Sequence, residues 1–514
     1  MQKKIDVVFI NPNSSYLVYQ DLSKIYSAIE PPTWSLLLAE SARSKGFEVS
    51  ILDCDAERLS HENTLERIIE LNPRLILFVV YGQNPNSGTT NMSGALTLAS
   101  FIKEFNNNFK IAFVGSHTSA LPKEVLTYDS IDIVLLNEGV YALHNLLKSN
   151  LEGDLQNIKG IGYKKKTKNN SSPGLLVINT PENIVPQERM DLDMPGYAWD
   201  LLPFKEKPLD LYRAHFWHAE FSHEKRTPFA AIYTSLGCNF GCDFCMINIV
   251  NRVNNAEDTN ASNSKGMRFW SPQWVAREMR KLSDMGVKTL RISDEMFFLN
   301  RKYYEPILQE AINQEFGFNM WTYSRIDTVK QDYLSLFKKA GVNWLALGIE
   351  AGNQVVRQEV AKGSFQEINI RKVCKEINNA DINIISNYIF GFPDDNLETM
   401  QETLDLALEL NTEMANMYPC QALPGSPMHT MAKKNGWALP QSYEGFGFLS
   451  YETQPLPTKY LSASEVLKFR DQAWKTYFTN PAYLDLVEKR FGLQERKNIN
   501  DMSAIPLKRK IFGD

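Results

Sequence analysis

The chain has 514 residues, with 43% hydrophobic and 22% charged side chains and a formal net charge of −5. This length exceeds what one hydrophobic core holds and predicts roughly two to four domains of ordinary globular composition. No uninterrupted apolar run reaches about eighteen residues, so no transmembrane helix is expected, and the negative charge argues against a broad nucleic-acid interface. The start, MQKKIDVVFINP, is too short an apolar run for a signal peptide. We therefore expect a cytoplasmic protein with reduced cysteines.

Residues 1–150 alternate between strand-like and helix-like patterns. Strands are predicted at Asp6–Asn11, Glu48–Asp53, Leu75–Val80, Lys110–Val114 and Ile131–Leu135. Helices are predicted at Pro32–Lys45, Asn63–Leu71 and Ser93–Phe105. This alternation predicts an α/β fold with a doubly wound, Rossmann-like parallel sheet. The sequence has neither G-x-G-x-x-G nor G-x-x-x-x-G-K-[ST], which disfavours nucleotide binding through the usual loops.

Ligands of such a sheet bind beyond the carboxyl ends of its strands. The loops there are rich in small or polar residues, which allow a ligand to approach the backbone closely. The candidate binding residues in these loops are Asn11, Ser14, Gly82, Gly115, Ser116, His117, Glu138 and Gly139.

Residues 151–227 are predicted to form an ordered connector. It contains a hairpin formed by Gly160–Tyr163 and Leu175–Asn179, followed by a proline-punctuated stretch. In residues 228–424 the alternation of strands and helices resumes. Strands are predicted there at Phe229–Ser235, Lys288–Ser293, Gly317–Tyr323, Asn343–Ile349, Asn383–Phe390 and Glu413–Pro419. Six such units are too few for an eight-stranded barrel, and active residues of barrels lie at the strand carboxyl ends.

Three of the six cysteines, Cys238, Cys242 and Cys245, follow the first of these strands in the run SLGCNFGCDFC. Three thiols so close together cannot all pair as disulfides. A [4Fe–4S] cluster normally takes four cysteine ligands, so three leave one iron open for an exogenous ligand. An open position is typical of a reactive metal site. The alternatives are a zinc site or a chance cluster, but zinc needs a fourth ligand, and the nearest histidine, His223, has no partner.

Further candidates lie at the ends of the next strands. Asp294 and Glu295 end the second strand, although a solvated helix cap also explains Asp294. Arg325 ends the third and is suited to bind a carboxylate or phosphate, or to form an ion pair at the barrel rim. Glu350 ends the fourth, where an inward carboxylate is costly unless it binds a cofactor or a cation.

These motifs resemble those of radical S-adenosylmethionine (SAM) enzymes. The resemblance rests on C-x3-C-x2-C with Phe244 before the last cysteine, on GIEAG at residues 348–352, and on NYIFGFPD at residues 387–394. The first domain resembles the cobalamin-binding domain of one subgroup through PPTW at residues 31–34, GSH at 115–117 and NEG at 137–139. The chain thus resembles the cobalamin-dependent, class B, radical SAM enzymes.

The resemblance implies a partial (β/α)6 barrel, a [4Fe–4S] cluster on the three cysteines, and SAM on the open iron. Asp294 or Glu295 would then bind the SAM amino group, and Ile389, in the motif that contains Gly391, would pack against adenine. Asn387 replaces the first glycine of that motif and Asp394 replaces its final glutamate.

In the first domain the resemblance implies a bound cobalamin. The motif D-x-H-x-x-G, which supplies a histidine to cobalt in other cobalamin proteins, is absent from the sequence. His117 could approach the corrin or be an ordinary surface histidine. A degenerate domain without a cofactor is the alternative for the whole of residues 1–150.

The implied activity is methyl transfer to an unactivated carbon. An electron enters the cluster, and SAM on the open iron splits to methionine and a 5′-deoxyadenosyl radical. The radical removes a substrate hydrogen, and methylcobalamin, loaded by a second SAM, donates the methyl group. A non-methylating cyclase or rearrangement enzyme and a cobalamin or redox sensor are the alternatives. The implied partners are a flavodoxin or ferredoxin as electron donor and a small-molecule substrate, for which a sugar or a lipid-linked molecule is the hypothesis.

Residues 425–514 form a predicted helical, aromatic-rich extension. Ser462 and Glu465 make a capping box, and the aromatic side chains have the helical spacing of a core. The position after the barrel also suits a substrate lid. Cys420 follows the sixth strand and is either a second reactive thiol or a buried packing residue; Cys54 and Cys374 are predicted to pack.

Overall fold

The structure is a computed structural model. It describes residues 4–82, 85–149, 151, 153–165, 174–215, 228–252, 259–360 and 368–514. Outside these ranges lie the last residues of the connector, including His223, the histidine nearest to the cysteines in the zinc alternative.

The first sheet has seven strands in the order β2-β1-β3-β4-β5-β6-β7. They are β1 Val7–Asn11, β2 Val49–Asp53, β3 Leu75–Val80, β4 Ile111–Gly115, β5 Ile133–Leu135, β6 Ile161–Lys165 and β7 Leu175–Ile178. The first five are parallel and match the prediction to within two residues. Strands covered on both faces are continuous apolar runs, as in the fully buried LILFVV of β3. The predicted hairpin is confirmed as β6 and β7, which extend this sheet antiparallel to β5.

The second large sheet has six parallel strands in the order β15-β14-β13-β12-β11-β8. The remaining strands in chain order are β8 Phe229–Ile232, β9 Ser235–Cys238, β10 Gly266–Phe269, β11 Thr289–Ile292, β12 Asn319–Arg325, β13 Val342–Glu350, β14 Asn383–Phe390 and β15 Met414–Pro419. All six predicted barrel strands are present in register with their neighbours, which gives a partial barrel. β9 and β10 form a separate antiparallel ribbon beside β8.

Helices cover the two sheets. In the first domain they are α1 Ser15–Tyr19, α2 Thr33–Arg43, α3 His61–Leu71, α4 Met92–Phe105, α5 Ser116–Ala120, α6 Pro122–Val125 and α7 Val140–Lys148. The others are α8 Met190–Asp193, α9 Pro272–Asp284, α10 Arg301–Asn313, α11 Leu334–Lys339, α12 Gln354–Val360, α13 Ile370–Asn379, α14 Leu397–Leu410, α15 Pro427–Asn435, α16 Ala463–Phe478, α17 Pro481–Phe491 and α18 Leu493–Ala504. Within the described ranges, no helix is both long and apolar enough to cross a membrane.

The last ninety or so residues pack against the barrel through α16 to α18. The predicted capping box is present, with Ser462 and Glu465 bonded reciprocally at the start of α16. Near the end of the chain the buried Arg509 forms an ion pair with Asp471 (2.9 Å) and donates to the Phe448 and Ser450 carbonyls (3.0 and 2.8 Å). These bonds anchor the segment from Phe448 to Ser450.

Buried polar contacts join the first domain to strand β10 and to the segment between β9 and β10. Glu138, in the loop after β5, accepts a hydrogen bond from Arg268 of β10 at 2.9 Å and another from the Val185 backbone. Asn137 exchanges two hydrogen bonds with the Arg252 backbone, at 2.9 and 3.0 Å. Glu138 therefore serves the domain interface and does not face a ligand.

We predict that Glu138→Ala lowers the free energy of unfolding by about 3 kcal/mol or more, because it leaves the buried Arg268 guanidinium without its carboxylate. The matched control is Asp200→Ala, which removes the Arg43 partner in a solvent-exposed ion pair and should cost at most about 1 kcal/mol. Urea unfolding of both variants measures the difference. Equal destabilisation by the two substitutions would contradict the importance of the buried pair.

Candidate functional site

The cysteine-bearing loop begins where β9 ends. Its shape is fixed by Asn248, whose side chain accepts from the Cys238 backbone N–H at 2.9 Å and donates to the Cys238 carbonyl at 2.8 Å. Backbone N–H groups point at two of the sulfurs, from Phe240 to Cys238 Sγ (3.4 Å) and from Ile247 to Cys245 Sγ (3.5 Å). Such N–H donors stabilise thiolates that bind iron.

The three thiols are partly or fully shielded from water. Burial raises the pKa of Cys238 to about 11 and that of Cys242 to about 12, and it raises the pKa of Cys245 well above its ordinary value. Thiolates at this site therefore need a bound cation to offset the loss of solvation. Among the described residues, no three His, Cys, Asp or Glu side chains converge as ligands of one metal ion. A four-iron cluster binds each cysteine at a separate iron, so its three cysteine ligands do not share one metal ion.

A cavity of about 490 Å³ lies beside this loop, at the carboxyl ends of the barrel strands. That volume is typical of small-molecule sites. Its barrel side includes Glu295, Arg325, Glu350, Asn387 and Ile389. We call Val18, Tyr19, Leu22, Asn86, Ser87 and Thr90 the first-domain wall, and Phe446, Gly447, Phe448, Leu449 and Trp474 the tail wall. The cavity therefore borders the first domain, the barrel and the C-terminal extension.

The two carboxylates that end β11 have different environments. Asp294 is fully buried, and its oxygens accept hydrogen bonds from the Thr234 backbone and hydroxyl (both 2.6 Å) and from the Ser235 hydroxyl (2.5 Å). It is thus a structural link between strands, and the expectation of a solvated helix cap is wrong. Glu295 lines the cavity instead.

Glu295 is the better candidate for a cationic ligand. Its Oε1 atom is buried and has no hydrogen-bond partner among the described residues. Burial raises the pKa of Glu295 to about 8, against the lowering effect of Arg291, and Asp294 raises it further. An ammonium group placed at Oε1 would supply the missing donor and favour the charged carboxylate.

Glu350 and Arg325 also line the cavity. Burial raises the pKa of Glu350 to about 7, and this residue holds the left-handed φ of 66° at a bulge between β13 and β14. A non-glycine residue in that conformation is strained, which is common at functional sites. Arg325 forms a bidentate ion pair with Asp327 (2.9 and 2.6 Å), with its guanidinium 3.9 Å from the Phe240 ring centroid. The predicted rim ion pair is present, and the guanidinium supports the cysteine loop.

The NYIFGFPD motif splits between the cavity and the core. Ile389 lines the cavity, whereas Gly391 has φ 86° and lies so close to α16 that a Cβ atom would be 2.3 Å from Val466. Asp395, which sequence reasoning missed, accepts from the Gly391 and Phe392 backbone N–H groups at 3.1 and 2.9 Å. Asp394, by contrast, forms an ion pair with Lys459 at the surface.

Two other residues border the same region. Phe244 lines the cavity and lies 5.8 Å from Phe392 between ring centroids. Cys420 reaches the cavity wall but is almost fully buried, its sulfur lies 3.4 Å from Met428 Sδ, and burial raises its pKa far above the ordinary value. This environment matches the packing role rather than a reactive thiol.

Most first-domain candidates hold loops together rather than face the cavity. Asn11 donates to Asp53 (2.7 Å), Ser14 to the Asn91 carbonyl (3.2 Å) and Ser116 to the Pro85 carbonyl (2.6 Å). A Cβ atom on Gly115 would lie 2.2 Å from the Val80 carbonyl oxygen. Glycine is required there by strand packing.

Gly82 and Gly139 have positive φ values of 65° and 79°, and Cβ atoms on them would meet Asn91 and Val114. The first-domain wall consists of other residues. Asn86, Ser87 and Thr90 of this wall lie in the loop after β3, at a strand end where a ligand was expected. No sequence pattern indicated Val18, Tyr19 and Leu22.

His117 is neither a surface residue nor open to a ligand. It is 1% exposed, and its ring nitrogens lie 3.2 Å from the Thr89 hydroxyl and 3.3 Å from a Glu124 carboxylate oxygen. The Tyr443 ring packs edge-on against it, with centroids 4.9 Å apart. The surface-histidine prediction is wrong, and both nitrogens are occupied within the protein.

The two domains match two protein families. Residues 232–407 match the radical SAM superfamily, and residues 26–147 match the B12-binding domain. The chain is a radical SAM enzyme with a B12-binding domain. The radical SAM domain implies a [4Fe–4S] cluster and SAM, and the B12-binding domain implies cobalamin.

Similar proteins span nearly the whole chain. An uncharacterized methyltransferase of Pyrococcus horikoshii is 23% identical over 469 residues, covering 90% of this chain and 91% of that protein. The anaerobic magnesium-protoporphyrin IX monomethyl ester cyclase of Rubrivivax gelatinosus is 24% identical and covers 93% of this chain and 78% of that protein. The cobalamin-dependent SAM radical enzyme OxsB, solved with aqua-cobalamin and SAM bound, shares the fold with TM-score 0.68 and 14% identity, covering 97% of this chain and 70% of OxsB.

The residues at the cavity fit the cofactors of this radical SAM enzyme. The three sulfurs and the unpartnered Glu295 oxygen suit a cluster with SAM beside it. The first-domain wall gives the B12-binding domain an apolar surface with the Ser87 and Thr90 hydroxyls on the same cavity. Cobalamin would border this wall, and His117 would not supply a cobalt ligand, since both its nitrogens are bonded.

We predict that alanine at Cys238, Cys242 or Cys245 abolishes [4Fe–4S] assembly, because each thiolate binds a separate iron. Iron and sulfide content and visible absorption after anaerobic reconstitution measure this. Cys374→Ala is the matched control, since Cys374 is a buried packing thiol on α13, and Cys420→Ala should also retain the cluster. Full iron content in any of the first three variants, or its loss in Cys420→Ala, would contradict the ligand assignment.

Proposed function

We propose that this protein is a cobalamin-dependent radical SAM methyltransferase that methylates an unactivated carbon of a small molecule. The observation that supports it most is the single cavity shared by the cysteine loop, the first-domain wall and the tail wall. A methyl donor on one domain and a SAM-cleaving cluster on the other both need access to the same substrate atom. The full-length similarity to a methyltransferase supports the same reaction.

When bound, the cofactors supply one-electron cleavage of SAM and the methyl group that is transferred. The residues of the chain bind and orient SAM and the substrate, and they exclude water from the site. Glu295 would bind the SAM ammonium at its unpartnered Oε1, and Ile389 would pack against the adenine. Arg325, held by Asp327 and stacked on Phe240, would keep the cysteine loop in place.

The tail wall would close the substrate side of the cavity. Arg509 holds this segment through the backbone carbonyls of Phe448 and Ser450, so the wall is anchored at its end. The aromatic side chains Phe446, Phe448 and Trp474 would shield reactive species from solvent.

The substrate is proposed to be neutral. The two arginines on the cavity are already paired, Arg325 with Asp327 and Arg470 with Asp471 (2.6 and 2.8 Å). Asn416 donates to Asn387 at 3.0 Å, which places an amide pair on the wall for hydroxyl or carbonyl groups. Aromatic and amide groups, with both arginines that the structure describes on this cavity already paired, suit a sugar or lipid-linked substrate better than a phosphate-rich one. A reductant is required, for which we propose a flavodoxin or ferredoxin.

A non-methylating oxidative cyclase is the second candidate, favoured by the similarity to the magnesium-protoporphyrin cyclase over 93% of the chain. It would use the same cluster, SAM and cavity. The two candidates differ in the fate of the SAM methyl group.

We predict that reconstituted protein with methyl-labelled SAM, a strong reductant and a panel of neutral sugar and lipid-linked substrates yields methionine, deoxyadenosine and a labelled product. Mass spectrometry measures all three. Deoxyadenosine with an altered but unlabelled product would contradict methylation and support the cyclase. SAM that stays intact under these conditions would contradict both and favour a cobalamin or redox sensor.

We predict that Glu295→Gln weakens SAM binding by about 1.5–3 kcal/mol, roughly tenfold to a hundredfold in Kd, because it removes the charge from a buried hydrogen bond to the ammonium. Equilibrium dialysis on cluster-loaded protein measures the Kd. The neighbouring Asp294→Asn is the control: it disrupts three internal hydrogen bonds and should lower the thermal midpoint rather than the SAM affinity. If Asp294→Asn lost more SAM affinity than Glu295→Gln, Asp294 and not Glu295 would be the residue that binds the ammonium.

A further inference from the structure

One residue of the B12-binding domain contacts the cysteine loop directly. Asn86 lies in the loop after β3, and its Nδ2 atom is 3.8 Å from Cys245 Sγ. Its Oδ1 atom accepts a hydrogen bond from the Met246 backbone N–H at 3.0 Å. Because a backbone N–H can only donate, this bond fixes which end of the amide is the oxygen. The NH2 group is then the nearer end to the sulfur, at 3.8 Å against 4.0 Å for Oδ1.

The loop that carries Asn86 is held tightly in place. Ser116 donates to the Pro85 carbonyl at 2.6 Å, and the Gly88 backbone donates to the same carbonyl at 3.2 Å. A Cβ atom on Gly88 would lie 2.1 Å from Ser116 Oγ, so the loop can pass there only as glycine. Ser116, predicted as a cofactor-binding residue, therefore positions the loop of Asn86.

Cys245 thus receives N–H groups from two sources. The Ile247 backbone lies within its own loop at 3.5 Å, and the Asn86 side chain comes from the other domain. An N–H directed at a cysteine sulfur stabilises the more negative, reduced form of an iron–sulfur cluster and raises its reduction potential. The potential decides how readily an external one-electron donor reduces the cluster.

We propose that Asn86 is a positioning residue through which the B12-binding domain raises the reduction potential of the [4Fe–4S] cluster. The inference rests on Cys245 as a cluster ligand. The domain that binds cobalamin thereby favours electron entry into the cluster only when it is docked on the cysteine loop. This adds to the proposed methyl transfer and holds for either candidate reaction.

The test is a potentiometric titration of the reconstituted full-length protein, with the reduced cluster followed by electron paramagnetic resonance. Asn86→Ala should shift the one-electron equilibrium toward the oxidised cluster by roughly threefold to tenfold, about 30–60 mV. Asn86→Asp keeps the acceptor for Met246 but replaces the donor with a negative oxygen, so its shift should be larger in the same direction.

Asn137→Ala is the matched control, because Asn137 makes a similar amide-to-backbone contact across the same interface, to Arg252, with no bond to a cluster sulfur. Its potential should equal that of the wild type. Unchanged potentials in both Asn86 variants, or an equal shift in Asn137→Ala, would overturn the proposal. If Asn86→Ala does not assemble a cluster, Asn86→Asp alone decides. If the Cys245→Ala variant binds iron fully, the assignment of Cys245 as a cluster ligand, on which the proposal rests, is refuted instead.

Discussion

The docking of the first domain onto the cysteine-bearing part of the barrel is the constraint on which the site depends. The Glu138–Arg268 pair and the Asn137–Arg252 bonds are buried, so their polar groups must be satisfied across the interface or they would destabilise both domains. The first domain therefore contacts the β9–β10 ribbon through the Glu138–Arg268 pair and the cysteine loop through the Asn86–Met246 bond. The cluster site is in this sense a property of both domains.

The same docking determines what the cavity can contain. The first-domain wall faces the barrel side that holds Glu295 and Glu350, and the tail wall closes the remaining side. Both carboxylates have raised pKa values because of burial, and in such an environment a cationic ligand gains more than it would in water. The Arg509 contacts hold the backbone of the tail wall at Phe448, and a wall held in this way suits chemistry that must exclude water.

The strands of both sheets could be predicted from sequence because buried parallel strands are continuous apolar runs with few alternatives. The cysteine spacing could be predicted as a cluster motif for a similar reason: its chemistry is local. Glu138, His117 and Asn86 could not be assigned in this way. Small and polar residues after parallel strands serve a ligand or another domain equally well, and their partners Arg268, Tyr443 and Cys245 lie more than a hundred residues away in sequence.

Asp294 and Glu295 show where this limit lies. Both follow β11, both are carboxylates, and burial raises the pKa values of both, to about 6 and about 8. Three donors from Thr234 and Ser235 satisfy Asp294, and an oxygen of Glu295 remains without a partner. The sequence places both carboxylates at the carboxyl end of β11. Only the packing of β8 against β11 decides which of them accepts the internal hydrogen bonds. The oxygen of Glu295 that has no partner can still accept a hydrogen bond from a ligand, which is why we propose Glu295 rather than Asp294 as the ligand-binding residue.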